Sequence, residues 1–224
     1  MISHPHKTIF VHIPKCGGQS IESCFLEDLG LDWESRAPLL LRPNKNPRNG
    51  PPRLAHLCAR EYIQYWYATP EMFASYYTFA LLRDPVDRAL SIYNYLAPKR
   101  YGRRISFDRF LGTWLPEQLG KAGRAETRGR KFYFVRPQVD FVLDANGEVM
   151  VQDLILLDRL ADHYPRIAAK AGLRSPLGHQ NKSTKTVTRK DLTPAHHDAI
   201  REMYAADFDL IARQVQQDPT PDHG

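Results

Sequence analysis

Lys15, Gly17, Gly18 and Ser20 follow directly on the apolar run Phe10-Val11-His12-Ile13-Pro14 and precede an amphipathic stretch from Ile21 to Leu29. That order predicts a strand, a tight loop and a helix. Glycines let backbone N–H groups turn toward an anion, a helix N-terminus adds partial positive charge, and Lys15 adds a full one. The chemistry this suits is the gripping of a phosphate or a sulfate. It is not a Walker A loop, which carries its Lys after the second Gly of G-x-x-x-x-G-K-[ST]. Here Lys15 precedes both glycines. An ordinary strand-to-helix turn is the plain alternative, since short glycine-bearing turns are common there.

A second group of the same character ends another apolar run. Tyr77 to Leu82 predicts a buried strand and is followed by Arg83-Asp84-Pro85, with Ser91 about two helical turns further on. Asp84 can cap the next helix and Pro85 fits its first turn. Open α/β sheets place ligands at the C-terminal ends of their strands, and an Arg fork with a hydroxyl can hold a phosphate monoester. The structural alternative pairs Arg83 with Asp84 or Asp87 and leaves Ser91 on the surface.

The elements that must position these residues follow from periodicity. Thr8 to Ile13 predicts a first buried strand and Gln19 to Leu29 a helix. Residues 31–53 predict loop, with five prolines and the Asn49-Gly50 turn signal, and the part from Pro38 onward carries four cations, Arg42, Lys45, Arg48 and Arg53, against no acid. Helices are predicted at Ala59 to Tyr67, after Pro85 and at Phe107 to Leu115. A strand–turn–strand is predicted across Val139 to Leu157, a helix over Leu157 to Leu173, and a last helix from Thr193-Pro194 to about Val215. The 224 residues, 42% hydrophobic and 25% charged, suit one α/β domain. We set it at residues 1–216 with a flexible tail over 217–224. The formal charge of +6 fits an anionic ligand. Cys16, Cys24 and Cys58 make neither a disulfide framework nor a zinc pattern, which points to a reducing, cytoplasmic setting. Neither a signal peptide nor a membrane span is expected.

Taken together, Pro14-Lys15-Cys16-Gly17-Gly18-Gln19-Ser20 and Arg83-Asp84-Pro85 through Ser91-Ile92-Tyr93 resemble the two nucleotide-gripping segments of sulfotransferases that use 3′-phosphoadenosine-5′-phosphosulfate (PAPS). The likeness is to the branch that includes carbohydrate and glycosaminoglycan O-sulfotransferases. Leu54-Ala55-His56-Leu57-Cys58-Ala59-Arg60-Glu61-Tyr62 resembles the family's His-bearing segment, and His179-Gln180-Asn181-Lys182-Ser183-Thr184-Lys185 its late polar loop. The likeness runs from about residue 8 to 212. It implies a P-loop-NTPase-like central parallel sheet flanked by helices. Cys16 stands where relatives often carry Thr, and segments 31–53 and 99–131 match nothing in the family pattern.

The resemblance implies roles for particular residues. Lys15, Cys16, Gly17, Gly18, Gln19 and Ser20 would hold the 5′-phosphosulfate, with Lys15 stabilising the leaving group. Arg83 and Ser91 would hold the 3′-phosphate, joined by Lys182, Ser183 and Lys185. His56 would be the base, since an unperturbed imidazole is largely neutral at pH 7. No metal is required, because the two anionic ends are met by cations and amides. The acceptor would be a hydroxyl, on a glycan and open to being anionic. Basic runs at Lys99, Arg100, Arg103 and Arg104, and at Lys121, Arg124, Arg128, Arg130 and Lys131, suit such an acceptor or a plain solvated surface. No nucleic-acid recognition motif is present. Two other functions stay open: a Mg²⁺-dependent kinase, with Asp153 as its metal-binding carboxylate, and a non-catalytic nucleotide or glycan binder.

Overall fold

Thr8–Val11 (β2) and Tyr77–Leu82 (β3) are buried at every residue, the mark of central parallel strands covered on both faces. They pair in parallel, Phe10 opposite Phe79, and Asp153–Leu156 (β4) pairs in parallel on the far side of β3, Leu81 opposite Ile155. Ile2–Ser3 (β1) pairs antiparallel with β2, giving a four-stranded mixed sheet in the order β1-β2-β3-β4. The expected parallel sheet is therefore right for three strands. The short antiparallel β1 is an addition, since two residues carry no readable alternation. The computed structural model describes residues 1–100, 105–121, 132–178 and 186–217.

Helices flank the sheet. Gly18–Asp28 (α1) follows β2, Ala59–Gln64 (α2) and Pro70–Ser75 (α3) lead into β3, and Pro85–Arg100 (α4) leaves it. A mixed run comprises Phe107–Arg109 (α5), a π turn over Phe110–Trp114 and Leu115–Leu119 (α6). Phe132–Val135 (α7), Val139–Val142 (α8), Leu160–Ala171 (α9), Pro194–Met203 (α10) and Ala205–Gln217 (α11) complete the described order. Among the described residues, no helix is long and apolar enough to cross a membrane.

Two expectations are corrected. The predicted strand beginning at Val139 is the helix α8. The Val139 N–H is taken by the Asp207 carboxylate at 3.0 Å, a partner 68 positions away, and only Leu143 and Val149 pair across the turn. The turn itself forms as expected, with Gly147 at φ 84 and Asp144 accepting from the Asn146 and Glu148 N–H groups. The single last helix is instead α10 and α11, broken at Tyr204, whose hydroxyl donates to the Val135 carbonyl at 2.7 Å.

Within 31–53, two short 3-10 turns at Ala37–Leu39 and Pro47–Asn49 interrupt the loop. The excursion closes on its own stem. Leu54 N–H donates to the Arg42 carbonyl at 3.1 Å, Asn44 N–H to the Pro52 carbonyl at 2.8 Å, and Pro43 and Arg53 form a bridge. The apolar interior has two parts. One surrounds the sheet, with Phe10, Phe25, Phe79 and Ile155, and the other lies between α4, the 107–115 run and Tyr204.

Candidate active site

The loop after β2 is shaped by its backbone. Lys15 sits at φ 69, a left-handed conformation that costs a non-glycine residue on the order of 1–3 kcal/mol. Gly17, at φ 78, precedes α1, and that helix start has neither a side-chain cap nor an acidic residue in its first turn. The Ser20 N–H turns back to the Gly17 carbonyl at 3.2 Å, and the leading N–H groups of Gly18 and Gln19 carry the positive end of the helix dipole. The glycines are also required by what lies beneath. A Cβ on Gly17 would fall 2.4 Å from Leu157 Cδ1, and one on Gly18 would fall 2.3 Å from His12 Cδ2.

The second group of residues meets the first, because β2 and β3 are adjacent and parallel. Arg83 Nη1 donates to the Lys15 carbonyl at 3.1 Å. Arg88, one turn into α4, is 1% exposed, and its Nε donates to the Pro14 carbonyl at 3.1 Å. Its Nη2 reaches the carbonyls of Phe134 and Arg136, and Nη1 lies 3.9 Å from Asp207 Oδ2. Burial pushes the Asp207 carboxyl up from the ordinary range against the pull of Arg88. Asp84 caps α4 through the Asp87 N–H at 3.0 Å, as the sequence predicts. Asp84 and Asp87 both engage Arg189 rather than Arg83. Among the described residues, no carboxylate is in ion-pair contact with Arg83.

His56, 8% exposed, lies at the end of a short 3-10 turn. Its Nδ1 is 3.0 Å from the His12 carbonyl oxygen. A carbonyl only accepts, so Nδ1 carries the proton and Nε2 keeps its lone pair. Burial, and then the neighbouring His12, hold the His56 pKa well below 6.5. The His12 ring packs edge-on to His56 at 4.5 Å, and its Nδ1 is 2.5 Å from Glu22 Oε1. Aromatic rings join His56 to the loop: Phe134 lies 6.0 Å from His56, Tyr95 stacks on Phe134 at 5.4 Å, and Lys15 Nζ sits 4.2 Å from the Tyr95 ring centre.

The structure thus brings Lys15, Gly17, Gly18, Gln19, Ser20, Arg83 and His56 to one end of the sheet. Ser91 lies one turn after Arg88 and one turn before Tyr95, on the α4 face turned to the loop. Cys16 is turned inward: its N–H goes to the Ile13 carbonyl and its thiol to Gln138 Oε1 at 3.3 Å, so its side chain gives no donor to the loop mouth. Lys182, Ser183 and Lys185 lie outside the described residues, as do His179 and most of the basic positions of 99–131. Asp153 stands at the N-terminal end of β4, remote from the loop, and is held by Tyr77, Lys170 and Arg166, which corrects its reading as a metal-binding carboxylate beside the phosphates. The sequence reading missed Arg88, Gln138, Tyr95 and Phe134. Only the i, i+3 and i, i+4 spacing of Arg88, Ser91 and Tyr95 offered a signal.

Fold and site together define an α/β protein that can hold an anionic ligand across the ends of two adjacent parallel strands. A family model described as Sulfotransferase family matches residues 1–136, and the chain belongs to that family. The match takes in both cationic groups and His56. A crystal structure of a sulfotransferase from Alicyclobacillus acidocaldarius is similar with a TM-score of 0.48 at 15% identity, covering 96% of this chain and 97% of that one. No curated protein matches the chain. Membership makes this a transferase whose implied donor is PAPS, and the residues present fit it. An ammonium, a guanidinium with no carboxylate contact among the described residues and a helix start without a side-chain cap form a donor set for anions. Among the described residues, no group of His, Cys, Asp and Glu has the arrangement to hold a metal ion.

Proposed function

We propose that the protein transfers a sulfuryl group from PAPS to a hydroxyl of a carbohydrate acceptor. PAPS, when bound, supplies the phosphosulfate S–O bond that breaks. The N–H groups of Gly17, Gly18 and Gln19, with Ser20 and Lys15, bind its 5′ end, and Lys15 Nζ meets the charge that develops on the leaving oxygen. Arg83 and Ser91 bind the 3′-phosphate, with Lys182, Ser183 and Lys185 completing the enclosure. His56 Nε2 takes the acceptor's proton. One observation carries this reading: the Arg83 guanidinium lies against the Lys15 backbone, and among the described residues no carboxylate pairs with it. The late loop's role is supported by Asn94 on α4, whose amide holds the backbone of Thr186 and Val187 immediately after it.

Support for a glycan acceptor, and for an anionic one, comes from the excursion that leads into His56. Arg42, Lys45, Arg48 and Arg53 are all exposed on it. Trp66, 81% exposed and at φ 59, stands beside Tyr67, whose hydroxyl donates to the Asn49 carbonyl of that excursion. The three cysteines are free and buried, which suits a reducing cytoplasm.

Calorimetry with 3′-phosphoadenosine-5′-phosphate (PAP) and with AMP tests the donor site. PAP is expected to bind at least tenfold more tightly, since one charge-assisted bond is worth about 1.5–3 kcal/mol. Equal affinities overturn the assignment of Arg83 and Ser91. Labelled PAPS with a panel of hydroxyl acceptors tests the chemistry. Lys15→Ala is expected to lose about 10²–10³-fold in transfer, and His56→Ala about 10²–10⁴-fold with PAP affinity kept. PAP affinity lost in His56→Ala makes the histidine structural.

A further inference from the structure

We infer that Gln138 is a positioning residue that fixes the spacing of the two cationic groups and so sets the preference for a nucleotide phosphorylated at both ends. This rests on the assignment of those groups given above. Gln138 is 0% exposed and precedes α8, where its side chain plays no capping part. Its Oε1 accepts from the Arg83 N–H at 2.9 Å and from the Cys16 thiol at 3.3 Å, while its Nε2 donates to the Arg83 carbonyl at 2.8 Å. The partners settle the amide's orientation, because an N–H only donates and a carbonyl only accepts. The amide thus pairs with Arg83 as a neighbouring strand's peptide would, one residue beyond β3, and it ties the glycine loop to the same oxygen.

Three successive loop residues each make one polar contact beyond the loop: the Pro14 carbonyl with Arg88, the Lys15 carbonyl with Arg83 and the Cys16 thiol with Gln138, which itself pairs with Arg83. These links differ in kind. The Arg83 bond uses the guanidinium that a 3′-phosphate must also engage. The Gln138 bonds use backbone and thiol, so they persist when a ligand occupies both ends. Gln138 is itself fixed from behind, since the adjacent Val139 N–H is held by Asp207. A side chain one methylene shorter cannot span Arg83 and Cys16 from that place, and an apolar one pairs with neither.

The test is the ratio of PAP to AMP affinity. In Gln138→Leu, which keeps volume and removes both polar atoms, the ratio is expected to fall about tenfold or more while AMP affinity changes little, the scale of losing one charge-assisted hydrogen bond to the 3′-phosphate. Thermal melting checks that the variant is folded. Cys16→Ala and Cys16→Ser form a second, milder pair. Alanine cuts the loop's link and lowers the ratio, whereas serine restores a donor to Gln138 and returns it toward the wild-type value. A folded Gln138→Leu with an unchanged ratio overturns the inference, as does an equal loss of both affinities. If that variant fails to fold, Cys16→Ala and Cys16→Ser with the same ratio overturn it. A wild-type protein that does not distinguish PAP from AMP instead sinks the underlying site assignment, and this inference with it.

Discussion

Gly18 has no room for a methyl group, because the His12 ring lies directly beneath it. Gly18→Ala must move that ring or the loop. Overpacking of this kind costs about 1–3 kcal/mol, and the expected result is a lowered melting temperature with weakened PAP binding. Wild-type values for both discard the role assigned to this contact. At His56 the expectation concerns pH. Burial keeps the folded imidazole neutral well below 6.5, so the unfolded chain binds the extra proton in that window. Stability therefore falls as pH drops below about 6.5, the unperturbed value. Urea titrations from pH 7.5 to 5 are expected to show a shallower decline in His56→Asn than in wild type. Equal slopes remove the imidazole from the account. At this scale the sequence was readable where chemistry is local: Lys15, the glycine pair and Ser20 announce themselves by spacing. Gln138 and Arg88 do not. Their partners lie 55 to 122 positions away for Gln138 and 46 to 74 for the Arg88 carbonyl contacts, and no pattern in one chain marks such pairs.

α4 shows what an element adds. Its start is capped by Asp84, its first turn gives Arg88 to the loop, and its middle gives Tyr95 to Lys15. One turn beyond Ser91, Asn94 holds Thr186 and Val187 through three hydrogen bonds. Asn94→Leu leaves those backbone groups without their partner, at about 1 kcal/mol per bond. Amide exchange at residues 186–191 is expected to quicken ahead of global unfolding, and wild-type protection there disposes of the anchoring role. β3 was legible because its β-branched, aromatic and aliphatic residues Tyr77 to Leu82 run directly into Arg83-Asp84-Pro85, which stops a strand. α8 was not. Val139 to Leu143 is rich in β-branched and aromatic residues, as a strand is, but the contact with Asp207 fixes the local backbone as helix.

The whole molecule joins two apolar clusters, one around the sheet and one behind α4. Arg88 reaches across from α4 to the loop, α7 and Asp207. If residues 1–216 act as one cooperative unit, as the sequence leads us to expect, far-UV circular dichroism and the fluorescence of buried Trp114 report one urea midpoint. Two midpoints divide the chain. Arg88→Met leaves the Asp207 carboxylate buried without its cation and is expected to cost about 3–5 kcal/mol. The buried strands β2 and β3 were within reach of periodicity and their parallel arrangement was implied by the family resemblance, whereas the antiparallel β1 was signalled by neither. The stem that shuts at Arg42 and Leu54 has its own consequence. A segment whose ends meet can be exchanged for another of different length at little cost in closure entropy. The donor grip, built on β2 and β3, is untouched by such an exchange. On the proposal that this excursion meets the acceptor, transplanting the stretch between those two residues from one homologue to another is expected to change the acceptor while the fuel stays the same.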